Sequence, residues 1–174
     1  MKANGLRKRR REIFAAIFML EFLALVAVVS IVQTRPPEPV GLDAPASEFS
    51  SGRAMEHLSH IAARPHPTGS PENHEVRAYI YQVLESLEVE PELHTTDVRR
   101  QYNPRYVNVC RVDNIFVRVP GTDPAKSVLL MGHYDTVPNA PGATDDGSGV
   151  VTLLETLRAL EESPPLRNDV IFLF

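Results

Sequence analysis

SVLLMGHYDTVPNAPGATDDGSG, residues 127–149, joins an apolar run to a loop of acids and glycines. Val128-Leu129-Leu130-Met131 has the length and type of a buried parallel strand. His133 and Asp135 follow at once, then a loop rich in Pro, Asn and Gly, then the pair Asp145-Asp146. Gly147-Ser148-Gly149 leads into an apolar-periodic helix, Val150 to Leu160. In open α/β sheets, ligands gather where strands end and helices begin. The spacing places one His and three acids at such a junction.

Extended backbone points residues i and i+2 the same way, so His133 and Asp135 share a face and Tyr134 turns away from it. A metal-binding His usually hands its second ring N–H to a carboxylate, which fixes the tautomer and raises its basicity as a ligand. Asp135 is placed to be that carboxylate, or to be a ligand itself. Asp145 arrives 12 positions after His133, where the helix begins. Donors of this kind suit a divalent cation, with zinc the leading candidate. Asp146 is a natural N-cap for the helix that follows.

Gly132–Gly149, GHYDTVPNAPGATDDGSG, resembles the core of the family-28 zinc metallopeptidases. The resemblance extends to ARPHPTGSPENHEVRAYI (residues 63–80) and PLRNDVIFLF (165–174), and so spans about Phe49 to Phe174. The first of these is most similar in look to the membrane-anchored endoplasmic reticulum branch. The resemblance implies His133 as a zinc ligand and Asp135 as the catalytic-site residue that braces it. It implies Asp145 as a bridge between two zinc ions, with Asp146 beyond a cis peptide. It further implies a peptide substrate, aminopeptidase action and a Glu general base. The family places its Glu-Glu pair directly after the strand that residues 168–174 resemble, and two further ligands, an Asp and a His, later still. The expectation is the N-terminal part of an enzyme, inactive and weak in zinc binding by itself.

Upstream, Met1 to Arg11 carries six basic side chains, and Ile13 to Val32 is twenty residues with Glu21 its only charge. At about 1.5 Å per residue that helix spans roughly 30 Å, one hydrocarbon core. The apolar run exceeds the h-region of a cleaved signal peptide, and Ala44-Pro45-Ala46 lies far from its end. The reading is a membrane anchor with a cytoplasmic N-terminus. The translocated portion would lie in the periplasm, outside the cell or in the endoplasmic reticulum lumen. The organisation expected is a basic tail over 1–12, a signal-anchor over 13–33, a Pro-rich linker over 34–48 and a zinc-peptidase domain over 49–174.

Beyond Val32 lie 20 of the 22 acidic residues and 12 of the 18 basic ones, a net charge of −8. That balance excludes nucleic acid as a partner. Cys110 is the sole cysteine, so neither an internal disulfide nor a thiolate zinc site is possible. No Asn-x-Ser/Thr sequon is present.

Ser50 or Ser51 caps a helix with Met55, Leu58 and Ile61/Ala62 on one face. His57 and His60 on that helix read as a solvated face. Arg64 to Gly69, dense in proline, is a loop. Ser70-Pro71 starts a second helix with Val76, Ile80, Val83, Leu84 and Leu87 as its buried stripe. His74-Glu75 does not make HExxH, because position 78 is Ala. Strands are predicted over Val89–Val98 and Val107–Val119, with a turn at Pro120–Asp123.

The architecture expected is α/β: a three-layer α/β/α zinc-peptidase fold with a mixed sheet, preceded by one transmembrane helix. The rival class is a non-catalytic ectodomain that keeps the fold and loses ligands, acting as a binding or scaffolding module. Within enzymes, a related carboxypeptidase/deacylase family shares HxD, but Gly142–Gly149 argues against it. A dinucleotide fold fails because Gly147-Ser148-Gly149 lacks the third glycine.

Overall fold

The computed structural model describes residues 2–123 and 125–174, without the side chains of residues 2–9 and of Tyr102. The chain divides into two units between Glu38 and Pro39. The first is one helix, α1 (Lys2–Gln33), which runs on through the basic tail. Its Arg10–Gln33 portion, 24 residues, is long and apolar enough to cross a bilayer by length and composition. The Ser30 and Thr34 hydroxyls donate back to the carbonyls of Val26 and Ser30, at 2.8 and 2.9 Å. The helix therefore satisfies those polar side chains internally.

In the second unit, α2 (Ser51–Ile61) and α3 (Pro71–Ser86) precede β1 (Glu92–Asn103), β2 (Tyr106–Val119) and β3 (Ser127–Met131). A wide π-type turn, Ala143–Gly147, then leads into α4 (Ser148–Glu161) and β4 (Asp169–Leu173). The sheet order is β1-β2-β4-β3. β1 and β2 pair antiparallel, as do β2 and β4, while β3 and β4 run parallel. The fold is thus mixed α/β, with α4 as the crossover of a parallel pair.

Both helix starts predicted from sequence form as read. The Ser50 and Ser70 hydroxyls accept from the N–H groups of Arg53 and Asn73, each at 3.1 Å. Val76, Ile80 and Leu84 are buried, with Val83 and Leu87 packed against them. These side chains join Ala54 and Ile61 of α2 and Val150, Leu154 and Leu157 of α4 in one core. Ile115 and Val117 of β2, with Val170, Phe172 and Phe174, meet them from the sheet. All these sheet positions lie on one face, so α2, α3 and α4 form a single helical layer.

Several expectations change. Met55 is 60% exposed; the apolar face of α2 turns on Ala54, Leu58 and Ile61 instead. β1 begins at Glu92 rather than Val89, because Pro91 has no N–H for the ladder. It continues to Asn103, whose Oδ1 accepts from the N–H groups of Arg105 and Tyr106 and so builds the hairpin turn. β3 is parallel as read and, among the described residues, stands last in the strand order, with Leu129 and Met131 53% and 68% exposed. His57 and His60 do not form a merely solvated face. His57 Nδ1 lies 2.8 Å from the Tyr79 hydroxyl, and His60 stacks on that ring at 5.0 Å, joining α2 to α3.

The segment read as linker is held from Val40 onward. Gly52 N–H donates to Val40 O, and the Arg53 guanidinium donates to the carbonyls of Leu42, Ala44 and Glu48. Arg158 donates to Ala46 and Glu48. Both arginines are aligned by Glu155, which is fully buried. It accepts from Arg53 Nε at 3.0 Å, Arg158 Nε at 2.7 Å and the Ser50 N–H at 2.8 Å.

Candidate metal centre

The C-terminal ends of β3 and β4 lie side by side, which fixes where a ligand can approach this sheet. Past Met131 the Gly132 N–H still bonds to Leu173 O, at 3.1 Å. Tyr134 turns inward, is buried, and donates its hydroxyl to the Asp113 carbonyl at 2.6 Å. His133 and Asp135 are thereby left together on the opposite face. His133 Nδ1 is 3.1 Å from Asp135 Oδ1, and also 3.1 Å from the Asp135 carbonyl. Both are acceptors, so Nδ1 carries the proton and Nε2 points away from Asp135. Nε2 lies 3.0 Å from Asp145 Oδ1. All three residues singled out from sequence are therefore brought together.

The π-type turn delivers Asp145. Gly142 begins it in the left-handed region, at φ 71°, where a side chain would also collide with Thr136 Cγ2. Gly147 N–H closes the turn on Gly142 O at 2.8 Å. The Asp145-Asp146 peptide is cis, as the resemblance implies. Asp146 is not the N-cap expected from sequence. No side chain caps α4, and the Asp146 carboxylate reaches back instead to accept from the His133 N–H at 3.3 Å. It occupies the space beside Gly149, where an added Cβ would stand 2.3 Å from Asp146 Oδ1. Glycine at 149 is what lets strand end and helix start approach one carboxylate.

Asp145 is 86% exposed and His133 53%, so both donors face solvent. Partial burial works against a charge on His133. The hydrogen bonds that the ring donates to Asp145 and to the Asp135 carbonyl, with the charges of both carboxylates, overcome it and raise the imidazole pKa. The site accordingly favours positive charge. A cavity of about 580 Å³ opens beside it, lined on one side by His133, Asp135 and Asp146 and on another by β2 residues 109–114.

The donor set fits zinc. Two donors about 2.0–2.2 Å from one tetrahedral ion stand roughly 3.4 Å apart, so the 3.0 Å between His133 Nε2 and Asp145 Oδ1 needs an outward shift of only a few tenths of an ångström. Among the described residues, no group of three or more His, Cys, Asp or Glu side chains converges on one metal position. The described residues thus offer two candidate donor atoms 3.0 Å apart, one of them on an imidazole whose other nitrogen faces Asp135.

Sequence reasoning passed over one neighbour. The Thr68 hydroxyl donates to Asp135 Oδ2 at 2.8 Å. Its loop, RPHPTGS, stood out in the sequence by proline density and by the resemblance over residues 63–80, neither of which singled out Thr68.

The chain is similar in sequence and in fold to known proteins. Over 139 residues it is 36% identical to a vacuolar membrane protease of Coprinopsis cinerea, covering 71% of this chain and 14% of that protein. It is 30% identical over 186 residues to endoplasmic reticulum metallopeptidase 1 of Mus musculus, covering 98% of this chain and 20% of that one. The chain therefore spans a fifth or less of the length of these relatives. Its fold superposes on glutaminyl cyclase of Porphyromonas gingivalis with a TM-score of 0.63 and 25% identity, over 72% of this chain and 45% of that one. Residues 114–174, which hold β3, the π-type turn, α4 and β4, match the family model of Peptidase family M28.

Proposed function

We propose that the chain carries the anchor and the first metal donors of a membrane-anchored di-zinc peptidase that removes N-terminal residues from peptides. One observation carries the reading. Each ring nitrogen of His133 faces a different carboxylate, Nδ1 at Asp135 and Nε2 at Asp145, as a metal-binding imidazole and its brace require. His133 Nε2 and Asp145 would hold zinc, and Asp145, the more exposed of the two, has a second oxygen free to serve a second ion. Asp135 keeps the Nδ1 proton and so fixes the tautomer. Asp146 holds the His133 backbone in place, and the adjoining cavity receives the peptide. When bound, zinc supplies Lewis acidity toward the scissile carbonyl and a nucleophile at neutral pH. A catalytic zinc takes three protein ligands, and the described residues bring two candidate donors together, so these 174 residues alone are expected to bind zinc weakly and to turn nothing over.

The test uses the full natural chain in detergent, with peptides bearing a free N-terminus. A chelator should abolish release of the N-terminal residue, zinc should restore it, and His133→Ala should have none to restore. Chelator-resistant cleavage, or an active His133→Ala, would sink the metal reading. A folded chain that binds no zinc and cleaves nothing would shift the assignment to the binding-module class.

We also assign the N-terminus to the cytoplasm and the 39–174 unit to the far side of the membrane, from the basic residues that precede the apolar helix. The relatives' names, vacuolar membrane protease and endoplasmic reticulum metallopeptidase, accord with a membrane protein. A reporter fused after Phe174 should be active only outside the cytoplasm; activity confined to the cytoplasm would reverse the topology.

A further inference from the structure

We infer that Thr68 is a positioning residue for the metal centre, acting on His133 through Asp135; the inference rests on the zinc-peptidase reading above. Its hydroxyl donates to Asp135 Oδ2 at 2.8 Å, while Asp135 Oδ1 meets His133 Nδ1 at 3.1 Å and His133 Nε2 meets Asp145 at 3.0 Å. An ionised carboxylate only accepts, so the proton of the first bond belongs to Thr68. Rotation of an Asp carboxylate about its last bond is broad and nearly two-fold. A donor on each oxygen removes that freedom and holds Oδ1 on the imidazole.

The hydroxyl is itself held, which distinguishes it from a chance surface contact. His66, two residues earlier, is buried, and its backbone N–H donates to Thr136 Oγ1 at 2.8 Å. The Thr136 N–H returns a bond to His66 O at 3.3 Å. Asn73 Nδ2 adds a second tie to that carbonyl at 3.4 Å. His66 Nδ1 lies 2.7 Å from Arg64 O within the same loop. On the other side, Ser70 N–H donates to Pro67 O at 3.0 Å, and Ser70 caps α3. The loop is thus fastened both to the segment that carries His133 and Asp135 and to a helix start. Thr is β-branched and stiff at χ1, so the anchored backbone aims the hydroxyl. Gly69, at φ 81°, turns the chain away immediately afterwards.

The experiment measures zinc affinity of the full natural chain by competition with a chromophoric chelator, beside peptidase kcat/KM and the unfolding temperature. Thr68→Val should weaken zinc binding and kcat/KM about tenfold, the lower end of the range for outer hydrogen-bond partners of metal ligands. Its unfolding temperature should be unchanged, because the side chain is exposed. Thr68→Ser, which keeps the hydroxyl, should restore affinity to within about twofold of the parent. In an Asp135→Asn background, Thr68→Val should have little further effect, since its action passes through that carboxylate. Thr68→Ala serves as a second deletion should the valine variant misfold. Three outcomes overturn the inference: Thr68→Val with parental affinity, Thr68→Ser as weak as the valine, or a full additional loss in the Asp135→Asn background. A parent chain that binds no zinc overturns the zinc reading and this inference together, whereas a zinc-binding parent with an indifferent Thr68→Val overturns this inference alone.

Discussion

Asp145→Asn in the full natural chain is expected to cost peptidase activity by more than about 100-fold, beyond the range for outer partners of metal ligands. Asp135→Asn should stay within roughly 10–100-fold, because it perturbs a ligand's orientation and leaves the ligand in place. The two aspartates stand on opposite sides of the same imidazole, so the contrast reports roles and not proximity. Stability separates the effects further. Asp145 is 86% exposed and, among the described residues, its side chain pairs with His133, so the neutral amide should change folding by no more than about 0.5 kcal/mol. The activity lost at Asp145 therefore cannot be assigned to unfolding. Metal content measured beside kcat/KM completes the comparison, with Asp145→Asn retaining less zinc than Asp135→Asn. Equal, mild losses from both substitutions would overturn the proposal that Asp145 serves two zinc ions.

What was legible in the sequence was local. A helix cap needs one hydroxyl within three residues of its N–H, so Ser50 and Ser70 announced their helices. The shared face of His133 and Asp135 followed from the two-residue period of extended backbone, with Tyr134 inward as that period requires. Asp146 shows the limit of such reasoning. Asp before a helix is ordinarily a cap, but the turn over 143–147 swings this carboxylate back to a strand end 13 residues earlier in the chain. The run Val128–Met131 announced a strand that pairs parallel with β4, but its place in the strand order is set by strands far away in sequence.

Thr68 and Asp135 are 67 positions apart, and Glu155 meets Ser50 and Arg53 across more than 100. No periodicity marks such pairs. The one clue in the sequence was a charge inside an apolar helix face, since Glu155 sits between Leu154 and Leu157. A buried carboxylate must have partners, but the sequence alone does not say which of twelve basic residues beyond Val32 supply them.

Glu155→Ala is expected to destabilise the 39–174 unit by about 3–5 kcal/mol, the cost of breaking a buried ion pair by removing one partner. The carboxylate is fully buried and engages two guanidinium groups and the Ser50 N–H, while both arginines remain partly exposed, at 19% and 18%. Its removal leaves the Ser50 N–H unpaired and lets both arginines drift from the carbonyls over 42–48 that they grip. At about 2–4 °C per kcal/mol for a domain above 150 residues, and somewhat more for a smaller one, the unfolding temperature should drop by roughly 10–15 °C. Amides near the clamp should exchange faster, Ser50 and Gly52 first, because their acceptors are Glu155 and the segment it secures. The pH dependence has a definite sign. Burial alone would raise the Glu155 pKa, but the hydrogen bonds of Arg158, Ser50 and Arg53, with the charge of Arg158, prevail and hold it below the ordinary carboxylate value. Between the two values the unfolded chain binds the additional proton, so stability rises with pH there. Glu155's contribution is complete above its unfolded pKa and is lost as pH falls through the folded one. Thermal unfolding of the parent and Glu155→Ala from neutral pH down through the carboxylate range should therefore show two curves that converge in acid. A loss under about 1 kcal/mol at neutral pH, or curves that stay parallel in acid, would mean that the two arginines hold the 39–49 segment without Glu155.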